Sequence, residues 1–481
     1  MGLDPTSGLL AGESHIPLAA TPHYRHAAPI SGVASAADVE FSFDMQVTRT
    51  AEHPRITKPF SDAAWDALNA LGRDVDKRLE AGDVRLTMGG EPTFVSIDDF
   101  ESAEWNSDAV GPTKRKLADT LMRRLQGKFS KGGLLHYGQG KWYPGETLPR
   151  WTFSLFWRKD GHPIWQNPDL LAREDTTEDV GPNEARALLT AIADSLAVPA
   201  QNVLPAFEDP AEWIIKEGNL PANVTPENSK LADPEERARI AKVFERGLTT
   251  PAGYVLPVQR WQARAASRWM SEVWNLRRGK VFLVAGDSPV GYRLPLGTLP
   301  HVPESDYPFI NPQDPTELRG PLPGTAPDVV SGTAPDAAPP ARQQAVAHRT
   351  DATSGQEQIE QTLGDLDGRV RTAISVEARD GRLCVFLPPV EKLEDYLELI
   401  AAVEAGAKAT GHKVLIEGYA PPHDPRVEVM RIAPDPGVLE VNIHPAASWA
   451  DCVATTQTVY EEARQCRLGA DKFMVDGRHT G

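Results

Sequence analysis

Two short stretches hold the residues with the greatest chemical potential. In Arg85–Asp99, Glu91 interrupts a strand-like apolar run, flanked by Leu86, Met88, Phe94, Val95 and Ile97. A carboxylate so placed must be solvated in a cleft, paired with a cation or bound to a metal. Gly89 and Gly90 leave room for a bulge or a ligand, and Pro92 suits a strand edge. The competing reading is a plain Gly-Gly-Glu-Pro turn with Glu91 in water. In Val438–Pro445, strand alternation puts Glu440, Asn442 and His444 on one face and Leu439, Val441 and Ile443 on the other. An acid, an amide and an imidazole opposite an apolar face make a ligand-binding row; the alternative is a solvent-facing edge with His444 capping the strand. Glu91 and Glu440 together suit Mg²⁺, which takes one or two carboxylates plus substrate phosphate oxygens.

Phosphates there would need positive charge. Residues 111–160 carry eleven lysines and arginines against Asp119, Glu146 and Asp160, in a chain whose net charge is −17. Arg115 and Lys141 from this segment are candidate nucleotide contacts. Lys141 lies in Gly138-Gln-Gly-Lys-Trp-Tyr-Pro-Gly145, a glycine-rich loop able to cradle phosphate through backbone N–H groups, though without Walker spacing. Trp142 and Tyr143 either stack on a base or pack at a loop corner, and Arg123, Arg124 and Lys128 fit a solvated helix face. Arg293, following the buried-strand pattern Lys280–Ala285, is a further anion contact or a surface arginine at a strand end. The overall negative charge repels nucleic acid and anionic membrane. No apolar run reaches a membrane-spanning length and no signal pattern opens the chain. Cys384, Cys452 and Cys466 form no Cys-x-x-Cys pair, which points to a reducing, cytoplasmic setting.

The elements that must position these residues follow from periodicity. Helices are expected over Ser61–Ala81, from Gly111 to Gly127, and over Asn183–Ala197, Pro234–Gly247, Trp261–Arg278, Leu393–Thr410 and Ser448–Leu468. Strands are expected at Val39–Val47, Trp151–Trp157, Lys413–Gly418, Val427–Ala433 and Val438–Ile443. Asp380-Gly381 signals a hairpin between Thr372–Arg379 and Arg382–Pro388. The layout is α+β, a mixed and largely antiparallel sheet with helices on one face. Residues 312–357, rich in Pro, Ala and Gly with Gly-Thr-Ala-Pro-Asp repeated, read as a disordered linker or insertion that buries nothing. The implied divisions are 1–38, 39–311, 312–357 and 358–481.

Leu86–Asp98, Gly138–Glu146, Pro434–Pro445 and Lys472–Gly481 resemble segments of a bacterial amidoligase family grouped with the glutamine-synthetase and glutamate–cysteine-ligase fold. Its members are usually fused behind a transglutaminase-like domain. Leu3-Asp-Pro-Thr6 resembles the last motif of that domain, which makes Asp4 the orienter of a catalytic His and residues 1–38 the domain's tail. The resemblance implies that ATP and Mg²⁺ activate a carboxylate as an acyl phosphate, which an amine attacks. The partners would be small-molecule or peptide carboxylates and amines, with no nucleic acid and no membrane. It makes Glu91 and Glu440 metal ligands, leaves Thr93 where a second glutamate would stand, and puts Asn442 near substrate; the expected nucleotide contacts are Lys141, Arg115, Arg293, Asn442 and His444. The family continues beyond His479-Thr480-Gly481 into a glycine-rich segment ending in Asn-His, so the chain is expected to be an incomplete ligase module. The alternatives are a non-catalytic nucleotide- or protein-binding module and a fragment of a transglutaminase-like cysteine protease.

Overall fold

The computed structural model describes residues 61–99, 101–144, 146, 149–211, 214–215, 248–263, 266–284, 289–302, 314, 317–324 and 369–470. Asp4 and the 1–38 tail, the strand expected at 39–47, the helix at 234–247, the 472–481 segment and most of the 312–357 stretch lie outside them. No helix among the described residues is long and apolar enough to cross a membrane.

Thirteen described strands form one mixed sheet. One end carries β1 (Met88–Gly90), β2 (Thr93–Ser96), β14 (Val438–Ala446), β13 (Val427–Asp435), β4 (Trp151–Arg158) and β3 (Leu134–Gln139), with β15 (Leu468–Gly469) outside β2. The order continues through β12 (Val414–Gly418), β11 (Arg382–Leu387), β10 (Ala373–Arg379), β6 (Gly253–Pro257), β5 (Leu204–Glu208) and β9 (Val281–Leu283). Pairing is antiparallel except at β11–β12, β12–β3 and β5–β9. The β10–β11 hairpin turns on Asp380 (φ 52°) and Gly381 (φ 69°), two left-handed residues as this tight turn requires.

Helices cover both faces, not one. α3 (Pro112–Phe129) lies over the face that carries Tyr137 and Phe153: the Tyr137 hydroxyl donates to Asp119, and the Arg115 guanidinium stands 5.2 Å over the Phe153 ring. α6 (Trp449–Gln465) packs on α3 and β14, and α1 (Asp62–Ala81) on α6, where Gly72 makes room for the Trp449 indole. The opposite face of the central strands presents the fully buried Ile374, Val376, Val385 and Ile416, and α4 (Pro182–Ser195) and α5 (Leu393–Thr410) pack there. The reason is topological. β11 and β12 are parallel neighbours, so the chain must cross over the sheet between them, and α5 is that crossover.

Two further expectations are corrected. The stretch Trp261–Arg278 is not a helix; it contains most of a hairpin of β7 (Gln259–Ala263) and β8 (Ala266–Met270). Arg260 pairs with Asp395 and Glu398 of α5, and the Trp269 indole donates to Glu398, so tertiary contacts override the helical spacing. The described start of the 312–357 stretch is anchored instead of free. Arg319 pairs with Asp424, Arg158 donates to the Pro323 carbonyl at 2.7 Å, Arg426 to that of Gly320 at 2.8 Å, and Leu322 is buried.

Candidate active site

The site begins with register. Glu440 pairs with Ala433 on one side and Thr93 on the other, while the next polar row runs His136, Ser154, Arg431, Asn442 across β3, β4, β13 and β14. Directly paired residues point to the same side, so both rows share the face opposite α3. Glu91 lies between β1 and β2, alongside β14. Lys141 follows β3, and its Nζ stands 3.1 Å from Glu440 Oε2 and 3.9 Å from Glu91 Oε1. One ammonium therefore reaches a carboxylate of β14 and one from the turn between β1 and β2. The Glu440 side chain is 10% exposed, against 48% for Glu91 and for Lys141. Desolvation raises the Glu440 pKa and the nearby Asp435 and Glu91 charges add to it, while the Lys141 hydrogen bond opposes them. The Lys141 pKa is raised chiefly by that same bond.

The loop that delivers Lys141 is pinned at its far end. Arg150 is buried and binds Glu146 at 2.9 Å and Asp435 of β13, with its guanidinium 4.5 Å over the Tyr143 ring. Trp142 donates from Nε1 to the Glu146 carbonyl at 2.9 Å and leaves its ring two-thirds exposed. Tyr143 thus packs at the loop corner, while Trp142, next to Lys141 in the chain, leaves an open aromatic surface.

Residues 35–481 match the family described as "Putative amidoligase enzyme (DUF2126)". The chain belongs to that family. No curated protein and no solved structure matches it.

Of the residues singled out from sequence, the fold brings Glu91, Glu440 and Lys141 together, with Asn442 one step along the same strand face. His444 departs from that row. Met88 pairs with Ala446 but Gly90 with Ile443, so two residues, His444 and Pro445, oppose Gly89 in a β-bulge. The bulge breaks the alternation, and the ring packs edge-on against Trp157 (5.0 Å) and Phe129 (5.7 Å) at the end of α3. Burial lowers its pKa, and Nδ1 has no partner among the described residues. Arg115 is on the α3 face, paired with Glu174 at 2.7 Å. Arg293 is near the other end of the sheet, bound to Glu208 of β5 at 2.8 Å and to the Val284 carbonyl at 2.9 Å. The positive segment is largely neutralised in space. Lys114 is fully buried on the carbonyls of Asp108, Ala109 and Asp435, Arg123 binds Asp119, and Arg124 and Lys128 share Glu462.

Sequence reasoning missed Arg431, Asp435 and the pinning role of Arg150. Arg431 reaches the site only because β13 pairs with β14 in the observed register, which no local pattern encodes. For this amidoligase-family chain the donor set suits a particular kind of metal. Among the described residues no three His, Cys, Asp or Glu side chains converge to hold an ion by themselves. Two carboxylates that already share a stand-in cation, Lys141, instead fit Mg²⁺ carried in on phosphate oxygens.

Proposed function

We propose that this chain joins a carboxylate to an amine at the expense of ATP, with Mg²⁺ held by Glu91 and Glu440. The observation that supports this is the convergence of two glutamates, one from β14 and one from the β1–β2 turn, on one cation position. The family description supplies the reaction class. In this reading a substrate carboxylate oxygen displaces ADP from the γ-phosphorus, and the amine then displaces phosphate from the carbonyl carbon, losing a proton. Mg²⁺, when held by Glu91 and Glu440, would offset the negative charge of the phosphates. Lys141 would release Glu440 and turn to the phosphates, a short movement for a half-exposed side chain. Arg150 would keep the loop seated while Lys141 moves, since Glu146 and Asp435 both hold it. Trp142 would offer its open face to the base.

A second reading, a module that binds nucleotide or protein without turnover, is favoured by Thr93, which sits directly across from Glu440 and carries no charge. Hydroxylamine, a reactive amine, separates the two. ATP-dependent hydroxamate formation from a panel of carboxylates is expected for the ligase and absent in Glu440→Gln. Calorimetry should show Mg²⁺-dependent ATP binding that the same variant loses. Mg²⁺-dependent binding without hydroxamate would select the second reading, and no Mg²⁺-dependent binding would reject the metal assignment.

A further inference from the structure

Arg431 stands apart from the buried and half-buried arginines, for it lies exposed on the sheet face that carries Glu440. Arg115, Arg150, Arg158, Arg293, Arg379 and Arg426 each bind a carboxylate. Arg431 binds none among the described residues; its guanidinium lies 5.9 Å from the Phe156 ring, and desolvation alone lowers its pKa. A guanidinium stays charged throughout the accessible pH range, and among the described residues no carboxylate neutralises this one, so water or a ligand completes it. Its neighbours are also unfinished. Asn442, directly across on β14, makes no side-chain hydrogen bond among the described residues. On the other side, past Ser154, the buried His136 has no partner at Nε2 among the described residues, and burial pulls its pKa down to about 4, so the ring is neutral at ordinary pH. Two donors and an unpaired buried nitrogen thus lie in one row across the sheet, next to the row that carries Glu440. Arg431 and Glu440 are diagonal neighbours, a relation that places backbones roughly 7–8 Å apart.

We propose that Arg431 and Asn442 form the subsite that binds the carboxylate of the acyl substrate, beside the glutamate pair. This rests on the ligase reading for its meaning, but not for its test. A planar guanidinium takes both oxygens of a carboxylate in two parallel bonds, and the Asn442 amide adds a third donor. The negative field of Glu91, Glu440 and Asp435 would repel a carboxylate placed any closer without its own cation, which gives an arginine at this distance its use. The same charge pattern would also attract a free phosphate group, and the experiment must tell the two apart.

Glutarate, acetate and inorganic phosphate are titrated separately into the full chain at constant ionic strength, in wild type, Arg431→Gln, Arg431→Lys and Asn442→Ala, by calorimetry. Carboxylate affinity should fall roughly tenfold or more in Arg431→Gln, the loss expected for charge-assisted bonds. Arg431→Lys should recover only part of it, because an ammonium cannot offer the paired bonds. Mg²⁺-dependent ATP binding, measured in parallel, should remain within about twofold of wild type, since neither glutamate is touched. Unaltered carboxylate binding in Arg431→Gln, or none in wild type, overturns the proposal. So does selective phosphate binding that disappears with Arg431, which would make it a nucleotide contact. If wild type binds carboxylate through Arg431 but no Mg·ATP, the subsite stands and the nucleotide reading falls.

Discussion

The two faces of the sheet treat charge in opposite ways. Under α3, Arg115, Arg379 and Arg382 meet Glu174, Glu377 and Glu417, three cations against three anions, and each guanidinium has a carboxylate. Cys384 lies buried beside them, its thiol pushed well above the usual range by desolvation. On the opposite face Lys141 serves two glutamates and Arg431 serves none among the described residues. Both faces hold ionisable groups in strands that propensity alone would fill with apolar residues. A closed set of pairs can be retained for architecture, because nothing further is needed to satisfy it. An unbalanced set is stable only while water or a ligand completes it, which is why the second face and not the first is the candidate site.

Breaking the closed face should have the largest effect. Arg379→Met leaves Glu417 buried without its cation and is expected to cost about 3–5 kcal/mol of unfolding free energy in urea titration, the usual result of removing half a buried pair. Next is Asp424, another completed cluster, held by Arg319 and Arg426 with its pKa lowered to about 2. Its contribution is present above the ordinary carboxylate pKa and is lost as pH falls towards 2. Asp424→Asn should therefore cost on the order of 2 kcal/mol at pH 7 and little near pH 2, and equilibrium unfolding across that window checks both the size and the sign.

The open face should respond weakly in stability. Glu440→Gln should shift unfolding by no more than about 1 kcal/mol, because its cation is half-exposed and screened. The Glu440 pKa is raised, so the folded chain keeps its proton longer than the unfolded one does. Wild type should thus lose stability relative to Glu440→Gln as pH rises through and above the usual carboxylate range, seen in paired melts. Arg431→Gln should change stability least, within about 0.5 kcal/mol, while it removes the carboxylate binding argued above. A large destabilisation in either variant would mean that this face is as structural as the other.

Much of the scaffold was readable from local pattern. α1, α3, α5 and α6 lie where apolar spacing and capping residues put them, and Ser61 and Ser448 cap α1 and α6 by accepting from Ala64 and Asp451. Glu440 was visible because a carboxylate in an apolar strand is costly enough to need a reason, whereas Glu91 lies half-exposed in the Gly-Gly-Glu-Pro turn between β1 and β2. His444 was assigned to the wrong face because alternation assumes an unbroken pleat, and one extra residue in β14 ends it. Arg115 and Arg293 looked available because their partners, Glu174 and Glu208, are 59 and 85 residues distant in sequence.

By itself, then, the sequence determined most helices and strands, though not the β7–β8 hairpin, as well as the turn that closes the β10–β11 hairpin and the acid that sits in the apolar strand β14, since each depends on neighbours a few residues apart. Tertiary structure alone decided which charges are spent and which remain free. An ion pair depends on distances of a few ångströms between residues far apart in the chain, and those distances exist only once strand order and register are set: β14 beside β13 put Arg431 next to Asn442, and the loop after β3 laid Lys141 between two glutamates.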